Sequence, residues 1–258
     1  MRIHLIQTSV NEKDTGANFR NAVDVFKNKV PDNGGLAVLP ELFIPGYKEE
    51  NIYEWAARSE EVVKKFSSLC KEKKTALILG TISIDDDSKR YNRAIFIDDN
   101  GELVGHYNKT HLFKLLNEDI YFTQGDDLPV FEYKGWKVGI NICYDLRFPE
   151  SIRALYKKGA NLIILPSAWP HARTDVFKKL CFARAIENQC YFATCNRASY
   201  SADHYTYAGN SMIIAPDGEL LVECSELDDY KSAEIDINNV VEYRKQITCL
   251  DDRRGDLY

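Results

Sequence analysis

The sequence lacks the patterns that mark disulfide frameworks and structural metal sites. No Cys-x-x-Cys pair occurs, the seven cysteines stand at irregular spacings, and the five histidines are scattered. An odd and irregular set of cysteines in a chain of 258 residues is typical of reduced thiols. We therefore expect a cytoplasmic protein without disulfide bonds and without a structural zinc site.

The chain also has no excess of basic charge and no long apolar run. Its formal net charge is -6, which argues against a nucleic-acid partner or an anionic membrane surface. The longest apolar runs, such as residues 162–166, have the length of a strand and are far too short to span a membrane. A composition of 45% hydrophobic and 28% charged residues is that of an ordinary globular protein.

Strand-like and helix-like segments alternate along the chain. Apolar spacing predicts four helices, at residues 18–28, 60–73, 150–157 and 174–186, the last with Thr174 as its N-cap. Apolar runs and alternation predict strands at residues 3–8, 36–40, 75–84, 93–98, 103–107, 136–142, 162–166, 191–196, 211–215, 219–222 and 232–236. No linker or charge block divides them, so we expect a single domain over residues 1–258.

Two short segments of the first half recur in the second. Residues 38–41 (VLPE) are matched by 164–167 (ILPS), and the turn at 100–103 (NGEL) by 217–220 (DGEL). These matches are short, but they predict two similar halves. Such halves would form an α/β fold in which two mixed sheets pack face to face with the helices outside.

Cys143 is the first candidate for chemistry. It stands where an apolar strand ends, and Pro149 followed by Glu150 predicts a helix start shortly afterwards. A strand-to-helix turn can present a nucleophile, whereas the other cysteines lie in helices or apolar strands and read as small buried hydrophobes.

A thiol needs a base or a positive neighbour to become a thiolate. His111 and His171 are candidate bases in loops, which leaves a Cys–His hydrolase open. Glu41, at the end of an apolar strand, is the acidic alternative, with a structural ion pair or helix cap as its plain role. Lys109 also follows a strand, where its charge would favour the thiolate and a developing oxyanion, although most such lysines are simply solvated. Glu118 lies in a polar stretch that looks like a surface loop.

Three sequence blocks together resemble the nitrilase (carbon–nitrogen hydrolase) superfamily. They are residues 40–43 (PELF), 108–113 (NKTHLF) and 139–150 (GINICYDLRFPE), in that family's order and spacing. The likeness extends through residues 165–170 (LPSAWP), 183–189 (ARAIENQ) and 195–197 (CNR), so it covers essentially the whole chain. Residues 143–145 (CYD) resemble the amidase branch, and residues 169–173 (WPHAR) resemble the ω-amidases.

This resemblance implies a four-layer α-β-β-α sandwich, a homodimer and an enzyme without cofactor or metal. It implies hydrolysis of the terminal amide of a small carboxylate, such as 2-oxoglutaramate or 2-oxosuccinamate, through a cysteine thioester. The implied catalytic residues are Glu41, Lys109, Cys143 and Glu118.

Substrate-binding residues follow less directly. Arg147 is a candidate anchor for a substrate carboxylate, with an ion pair to Asp145 or Glu150 as the structural alternative. The remaining candidates for the pocket wall are aromatic: Tyr144, Phe113, Trp169 and Tyr47. An N-carbamoyl-amide hydrolase with the same Glu-Lys-Cys site is the nearest competing activity, and a non-catalytic binding module of the same fold is another reading.

Overall fold

The computed structural model describes residues 1–84, 89–200 and 206–257. The strands are β1 (Arg2–Gln7), β2 (Gly35–Val38), β3 (Thr75–Ile84), β4 (Arg90–Ile97), β5 (Leu103–Asn108), β6 (Val130–Tyr133), β7 (Trp136–Ile140), β8 (Leu162–Ser167), β9 (Tyr191–Asn196), β10 (Met212–Ile214), β11 (Leu220–Glu223) and β12 (Asp229–Glu234). The helices are α1 (Thr15–Lys29), α2 (Glu49–Ala57), α3 (Ser59–Lys73), α4 (Glu118–Tyr121), α5 (Pro149–Lys157), α6 (Thr174–Asn188) and α7 (Ile237–Gln246).

The strands form two six-stranded mixed sheets with the same plan. One sheet has the order β12-β1-β2-β3-β4-β5 and the other the order β6-β7-β8-β9-β10-β11. In each sheet the successive pairings are antiparallel, parallel, parallel, antiparallel and antiparallel. The two halves therefore repeat one topology, as the short sequence matches predict.

The matching segments occupy equivalent places in the two sheets. Residues 38–41 begin at the last residue of β2, and residues 164–167 are the last four residues of β8. Each of these strands is the third in its sheet. At this point the sheets meet, because the backbone N–H of Glu41 donates a hydrogen bond to the carbonyl of Ser167 at 3.4 Å. The candidate site residue Glu41 thus lies at the junction of the two halves.

Alternation along the strands divides the core into layers. In β1, Leu5 belongs to an apolar cluster that includes residues of both sheets, whereas Ile6 packs in a cluster with Phe26 of α1 and Phe66 of α3. On the second sheet, Leu155 of α5 and Phe177 of α6 join the shared cluster. Helices outside two facing sheets give the α-β-β-α sandwich, which confirms the fold expectation.

The structure corrects the predicted N-cap of α6 and agrees with the predicted start of α5. Thr174 is the first residue of α6 rather than its N-cap, and its hydroxyl donates to the carbonyl of His171 at 2.7 Å. Helix α5 begins at Pro149, as the Pro-Glu signal predicts. Within the described ranges, none of the helices has the length and apolar character that a membrane crossing requires.

Candidate active site

Glu41 is fully buried just beyond β2, where three donors surround its carboxylate. Oε1 accepts hydrogen bonds from Lys109 Nζ at 2.8 Å and from Asn92 Nδ2 at 2.6 Å, and Oε2 accepts one from the backbone N–H of Ala168 at 3.0 Å. The chain turns sharply here, because Leu42 has a left-handed backbone with φ of 46°. A left-handed leucine is strained, and its surroundings must hold it in place.

Gly80 lets the Glu41 segment lie close against the neighbouring strand β3. A Cβ atom at Gly80 would lie 2.6 Å from the carbonyl oxygen of Pro40 and 3.3 Å from the Cα of Glu41. Since no side chain fits in that space, glycine at this position allows the carboxylate segment to approach the sheet edge.

Lys109 lies between two carboxylates. Its Nζ is 2.8 Å from Glu41 Oε1 and 2.8 Å from Glu118 Oε1, and all three side chains are fully buried. Its backbone N–H donates to the carbonyl of Asn92 at 2.9 Å, which ties the end of β5 to β4. The ammonium group is therefore held by both its main chain and its two partners.

Glu118 is buried, so its reading as part of a surface loop is wrong. It is the first residue of the short helix α4, entered through Asn117, whose φ of 57° is left-handed. Its Oε2 accepts a 2.6 Å hydrogen bond from the backbone N–H of Phe113, so each of its two oxygens has a donor of its own. Asparagine tolerates this conformation better than most residues, so Asn117 allows the turn that brings Glu118 inward.

The buried cluster consists of two carboxyl groups and one amino group, which together carry one negative charge in excess when all three are ionised. Burial raises the pKa of Glu118, and the charge of Lys109 opposes that rise. Burial alone would lower the pKa of Lys109, but the carboxylates of Glu118 and Glu41 raise it well above its usual value. Lys109 therefore stays protonated, and Asn92 is a further donor that points toward both carboxylates, at 2.6 Å and 3.4 Å.

Cys143 opens a short 3₁₀ turn, Cys143–Arg147, with a left-handed backbone of φ 43°. Its side chain borders the cavity, but only 7% of the residue is exposed. Burial raises the pKa of the thiol well above its usual value and the charge of Glu41 adds to that rise, while Lys109 and the backbone N–H of Ala168 lower it. The resting thiol is therefore protonated at neutral pH and depends on a base for activation.

Asp145 joins the cysteine turn to the segment that carries Lys109. Its buried carboxylate accepts hydrogen bonds from the Ile142 backbone N–H at 2.8 Å and from the Tyr107 hydroxyl at 2.7 Å. His111 Nδ1 lies 2.7 Å from Asp145 Oδ1, and the imidazole stacks on Phe148 with 3.7 Å between ring centroids. His111 is thus held by Asp145 and the Phe148 ring.

A cavity of about 300 Å³ gives access to Cys143 and Lys109. The five residues predicted for the pocket wall all line it: Tyr47, Phe113, Tyr144, Arg147 and Trp169. Among the described lining residues there is no histidine, which removes geometric support for His111 or His171 as the partner of the thiol. Glu41 and Glu118 are not among the residues that line the cavity. Both contact Lys109, which does line it.

Arg147 lies over Trp169, with its guanidinium carbon 4.9 Å from the ring centroid. Within the described residues, no ion pair joins it to Asp145 or Glu150, and Asp145 is occupied by other donors. The structural alternative for Arg147 therefore has no support in the observed contacts.

Sequence reasoning did not identify four groups at this site. They are the Asn92 amide, the Asp145 carboxylate, the backbone N–H of Ala168 and the residue Arg173, which also lines the cavity. Asp145, Ala168 and Arg173 lie in the segments 143–145, 165–170 and 169–173 singled out above, whereas Asn92 lies in none of them. In the parts of the chain that the structure describes, no group of three or more His, Cys, Asp or Glu side chains is arranged to hold a metal ion.

Comparisons with known proteins identify the family of this chain. The family profile described as carbon-nitrogen hydrolase matches residues 2–245. A 2-oxoglutaramate amidase from Bacillus subtilis (strain 168) is 35% identical over 257 residues, which cover 99% of this chain and 98% of the relative. An omega-amidase from Xenopus tropicalis is 32% identical over 266 residues, which cover 100% and 96%.

A solved structure shows the same fold. The crystal structure of a carbon-nitrogen hydrolase from Helicobacter pylori G27 superposes with a TM-score of 0.90 at 26% identity and covers 100% of this chain and 96% of the other. The profile match and the full-length relatives show the family directly. This chain belongs to the carbon–nitrogen hydrolase family.

Proposed function

We propose that this carbon–nitrogen hydrolase is an ω-amidase that releases ammonia from the terminal amide of a small carboxylate, of the 2-oxoglutaramate or 2-oxosuccinamate type. One observation carries the proposal: Cys143 and Lys109 line one small cavity, and Lys109 is held from behind by the buried carboxylates of Glu41 and Glu118. The names of the Bacillus subtilis and Xenopus tropicalis relatives support the choice of amide.

In the first step, Glu41 takes the proton of Cys143 and the thiolate attacks the amide carbon. The raised thiol pKa supports this role, because the thiol does not ionise unaided at neutral pH. Moving the proton from Cys143 to Glu41 leaves the total charge of Cys143 and the buried cluster unchanged. The transfer therefore avoids placing a further negative charge in a site that has little access to water.

The oxyanion that forms on the former amide oxygen is stabilised by Lys109 and by the backbone N–H of Tyr144, the residue after the nucleophile. Lys109 is already fixed at 2.8 Å from each carboxylate, so it needs little reorganisation when the negative charge develops. Glu118 acts as a positioning residue, since it holds Lys109 while its other oxygen is held by the Phe113 N–H.

Collapse of the tetrahedral intermediate breaks the carbon–nitrogen bond, and Glu41 returns its proton to the leaving ammonia. This leaves a thioester on Cys143. Glu41 then takes a proton from water, the hydroxide attacks the thioester, and the proton returns to the sulfur as the acid leaves. Arg147 would hold the substrate carboxylate, and Tyr47, Phe113, Tyr144 and Trp169 would flank the carbon chain.

The proposal extends to the domain organisation, the oligomeric state and the cellular compartment of the protein. Residues 1–258 act as one carbon–nitrogen hydrolase domain, and two copies form a homodimer, as the family resemblance implies. All seven cysteines are free thiols, which supports a reducing compartment such as the cytoplasm. The substrate is a small molecule.

The competing activity, hydrolysis of an N-carbamoyl amide, gives different products. We expect purified protein to form one ammonia for each acid released from 2-oxoglutaramate, and no carbon dioxide from an N-carbamoyl amino acid. Enzymatic ammonia determination and carbon dioxide capture measure the two outcomes in parallel. If ammonia and carbon dioxide were released from the carbamoyl compound faster than ammonia from 2-oxoglutaramate, the N-carbamoyl-amide hydrolase assignment would replace the ω-amidase assignment.

A further inference from the structure

Asp145 is a fully buried carboxylate that the proposed reaction does not use. Its Oδ2 accepts hydrogen bonds from the Ile142 backbone N–H at 2.8 Å and from the Tyr107 hydroxyl at 2.7 Å. Its Oδ1 accepts them from the Thr110 hydroxyl at 3.2 Å and from the backbone N–H and Nδ1 of His111 at 3.1 Å and 2.7 Å. These donors come from the residue before the nucleophile and from the strand end that carries the catalytic lysine.

The bonds between Asp145 and Ile142 hold the nucleophile turn closed. The backbone N–H of Asp145 donates to the Ile142 carbonyl at 3.0 Å, while its carboxylate accepts from the Ile142 N–H. Between these two residues lie Cys143, whose φ of 43° is left-handed, and Tyr144, whose N–H is the proposed oxyanion donor. A cysteine in this conformation is strained and persists only where its surroundings hold it. Asp145 supplies that support from both its main chain and its side chain.

The remaining donors tie the same carboxylate to the segment of Lys109. Tyr107 lies two residues before Lys109, and Thr110 and His111 follow it directly. Asp145 therefore binds the chain on both sides of the lysine. One buried group thus joins the turn that carries the nucleophile to the segment that carries the ammonium group.

An amide of the same shape is a poor replacement for this carboxylate. An ionised carboxylate only accepts hydrogen bonds, whereas an asparagine side chain has one accepting oxygen and one donating NH₂ group. Each oxygen of Asp145 faces a backbone N–H, from Ile142 on one side and from His111 on the other. Whichever way an asparagine side chain is turned, its NH₂ group faces one of these N–H groups, so one of the two segments must move.

We propose that Asp145 is a positioning residue of the amidase, which holds the nucleophile turn and the Lys109 segment at the separation that the reaction needs. This inference rests on the proposed function and deepens it, because it assigns the alignment of the thiol with both oxyanion donors to one carboxylate. Asp145 is not among the described residues that line the cavity, so it acts through the groups it holds. A displacement of about 1 Å between reacting groups costs about 100-fold in rate.

The test is Asp145→Asn with two readouts. We expect kcat for 2-oxoglutaramate to fall about 100-fold with little change in KM, because the displaced groups act in the transition state. We also expect iodoacetamide to alkylate Cys143 several-fold faster at neutral pH, because the released turn exposes a residue that is only 7% exposed in the wild type. Cys70, buried in α3, should be alkylated no faster, as followed by mass spectrometry of the separate peptides.

Tyr107→Phe is a milder second variant. It removes one donor from Asp145 without placing two N–H groups against each other, and it keeps the buried ring. We expect kcat to fall about 2- to 10-fold with KM unchanged, and the alkylation of Cys143 to rise by less than in Asp145→Asn. If Asp145→Asn does not fold, these readouts of Tyr107→Phe decide the question, and no change in either would overturn the proposal.

Asp229→Asn is the matched control, because Asp229 also accepts a backbone N–H at each oxygen. The donors are Ser225 at 2.9 Å and Tyr230 at 2.8 Å, and Asp229 does not line the cavity. The control should lower stability through the same conflict between donors and change neither kcat nor the alkylation of Cys143.

Two results in folded Asp145→Asn would overturn the positioning role: an unchanged kcat, or alkylation of Cys143 and Cys70 that rises in parallel. The second result would show a general loss of stability rather than a local release of the turn. Absence of ammonia release by the wild type would instead contradict the proposed amidase reaction. In that case the alkylation of Cys143, which needs no turnover, still decides whether Asp145 holds the nucleophile turn.

Discussion

Glu41→Gln should lower kcat about 100- to 10000-fold, because it removes the group that takes and returns the proton in both half-reactions. The same change should make the Cys143 thiol more acidic. Burial is the larger cause of the raised thiol pKa, but the Glu41 charge adds to it, and a neutral amide removes that part. The variant is therefore expected to have more thiolate than the wild type at neutral pH and yet far less activity.

Two measurements separate these effects. Ammonia release gives kcat, and the ultraviolet absorbance of the thiolate across a pH series, taken relative to Cys143→Ala, gives the pH at which the thiol ionises. The wild-type thiol should ionise above the usual 9.0, and the thiol of Glu41→Gln at a lower pH than in the wild type. Glu223→Gln, which alters a partly buried carboxylate paired with Lys178, is the control.

The Cys–His alternative predicts the opposite pattern. If Glu41→Gln kept near-normal activity while His111→Ala or His171→Ala lost it, Glu41 would not be the base. The position of His111 against Asp145 and Phe148 is the structural reason to expect otherwise.

Lys109→Met should damage both activity and stability. Loss of one oxyanion donor costs about 100- to 1000-fold in kcat. In addition, the variant leaves Glu41 and Glu118 buried together without a cation, and breaking a buried pair in this way costs about 3–5 kcal/mol in the free energy of unfolding.

The stability loss of Lys109→Met should depend on pH in a defined direction. Burial already raises the pKa of Glu118, and loss of the Lys109 charge raises it further. A carboxyl group whose pKa is higher in the folded than in the unfolded protein takes up a proton on folding. The amount by which it lowers the free energy of unfolding therefore grows as pH rises through the folded-state pKa. Denaturant unfolding should therefore show a smaller difference in the free energy of unfolding between the variant and the wild type at mildly acidic pH than at mildly alkaline pH.

Lys73→Met is a matched control for Lys109→Met, because Lys73 is also a buried lysine. Its Nζ is 2.9 Å from Asp32 Oδ1, but that carboxylate is exposed and Lys73 does not line the cavity. The control should lose some stability and keep kcat. If Lys109→Met matched Lys73→Met in both activity and pH dependence, the oxyanion role of Lys109 would be wrong.

Much of the fold was predictable because the buried strands are apolar and bounded by turn residues. Strands β3 and β9 have the bounds that the sequence predicts, and α5 starts at its Pro-Glu signal. The segments that were missed, α2, α4, α7 and β6, are short or weakly patterned, and their structure depends on packing against the rest of the chain.

The candidate site was predictable to different degrees for different residues. Glu41, Lys109 and Cys143 each follow a predicted strand, and a polar side chain directly after an apolar run is recognisable in the sequence. Glu118 is surrounded by polar residues in the sequence, and its burial depends on the turn at Asn117 and on contacts with distant segments. Asn92 lies within a strand, and no local pattern distinguishes it from a core asparagine.

The most direct test of the account is ammonia release from 2-oxoglutaramate by the purified protein, measured beside Cys143→Ala. The account predicts steady release by the wild type and none above background by the variant, with both proteins equally folded by circular dichroism. Release that persists in Cys143→Ala would show that Cys143 is not the nucleophile. No release by the wild type, with its thiols intact by titration, would contradict the ω-amidase assignment.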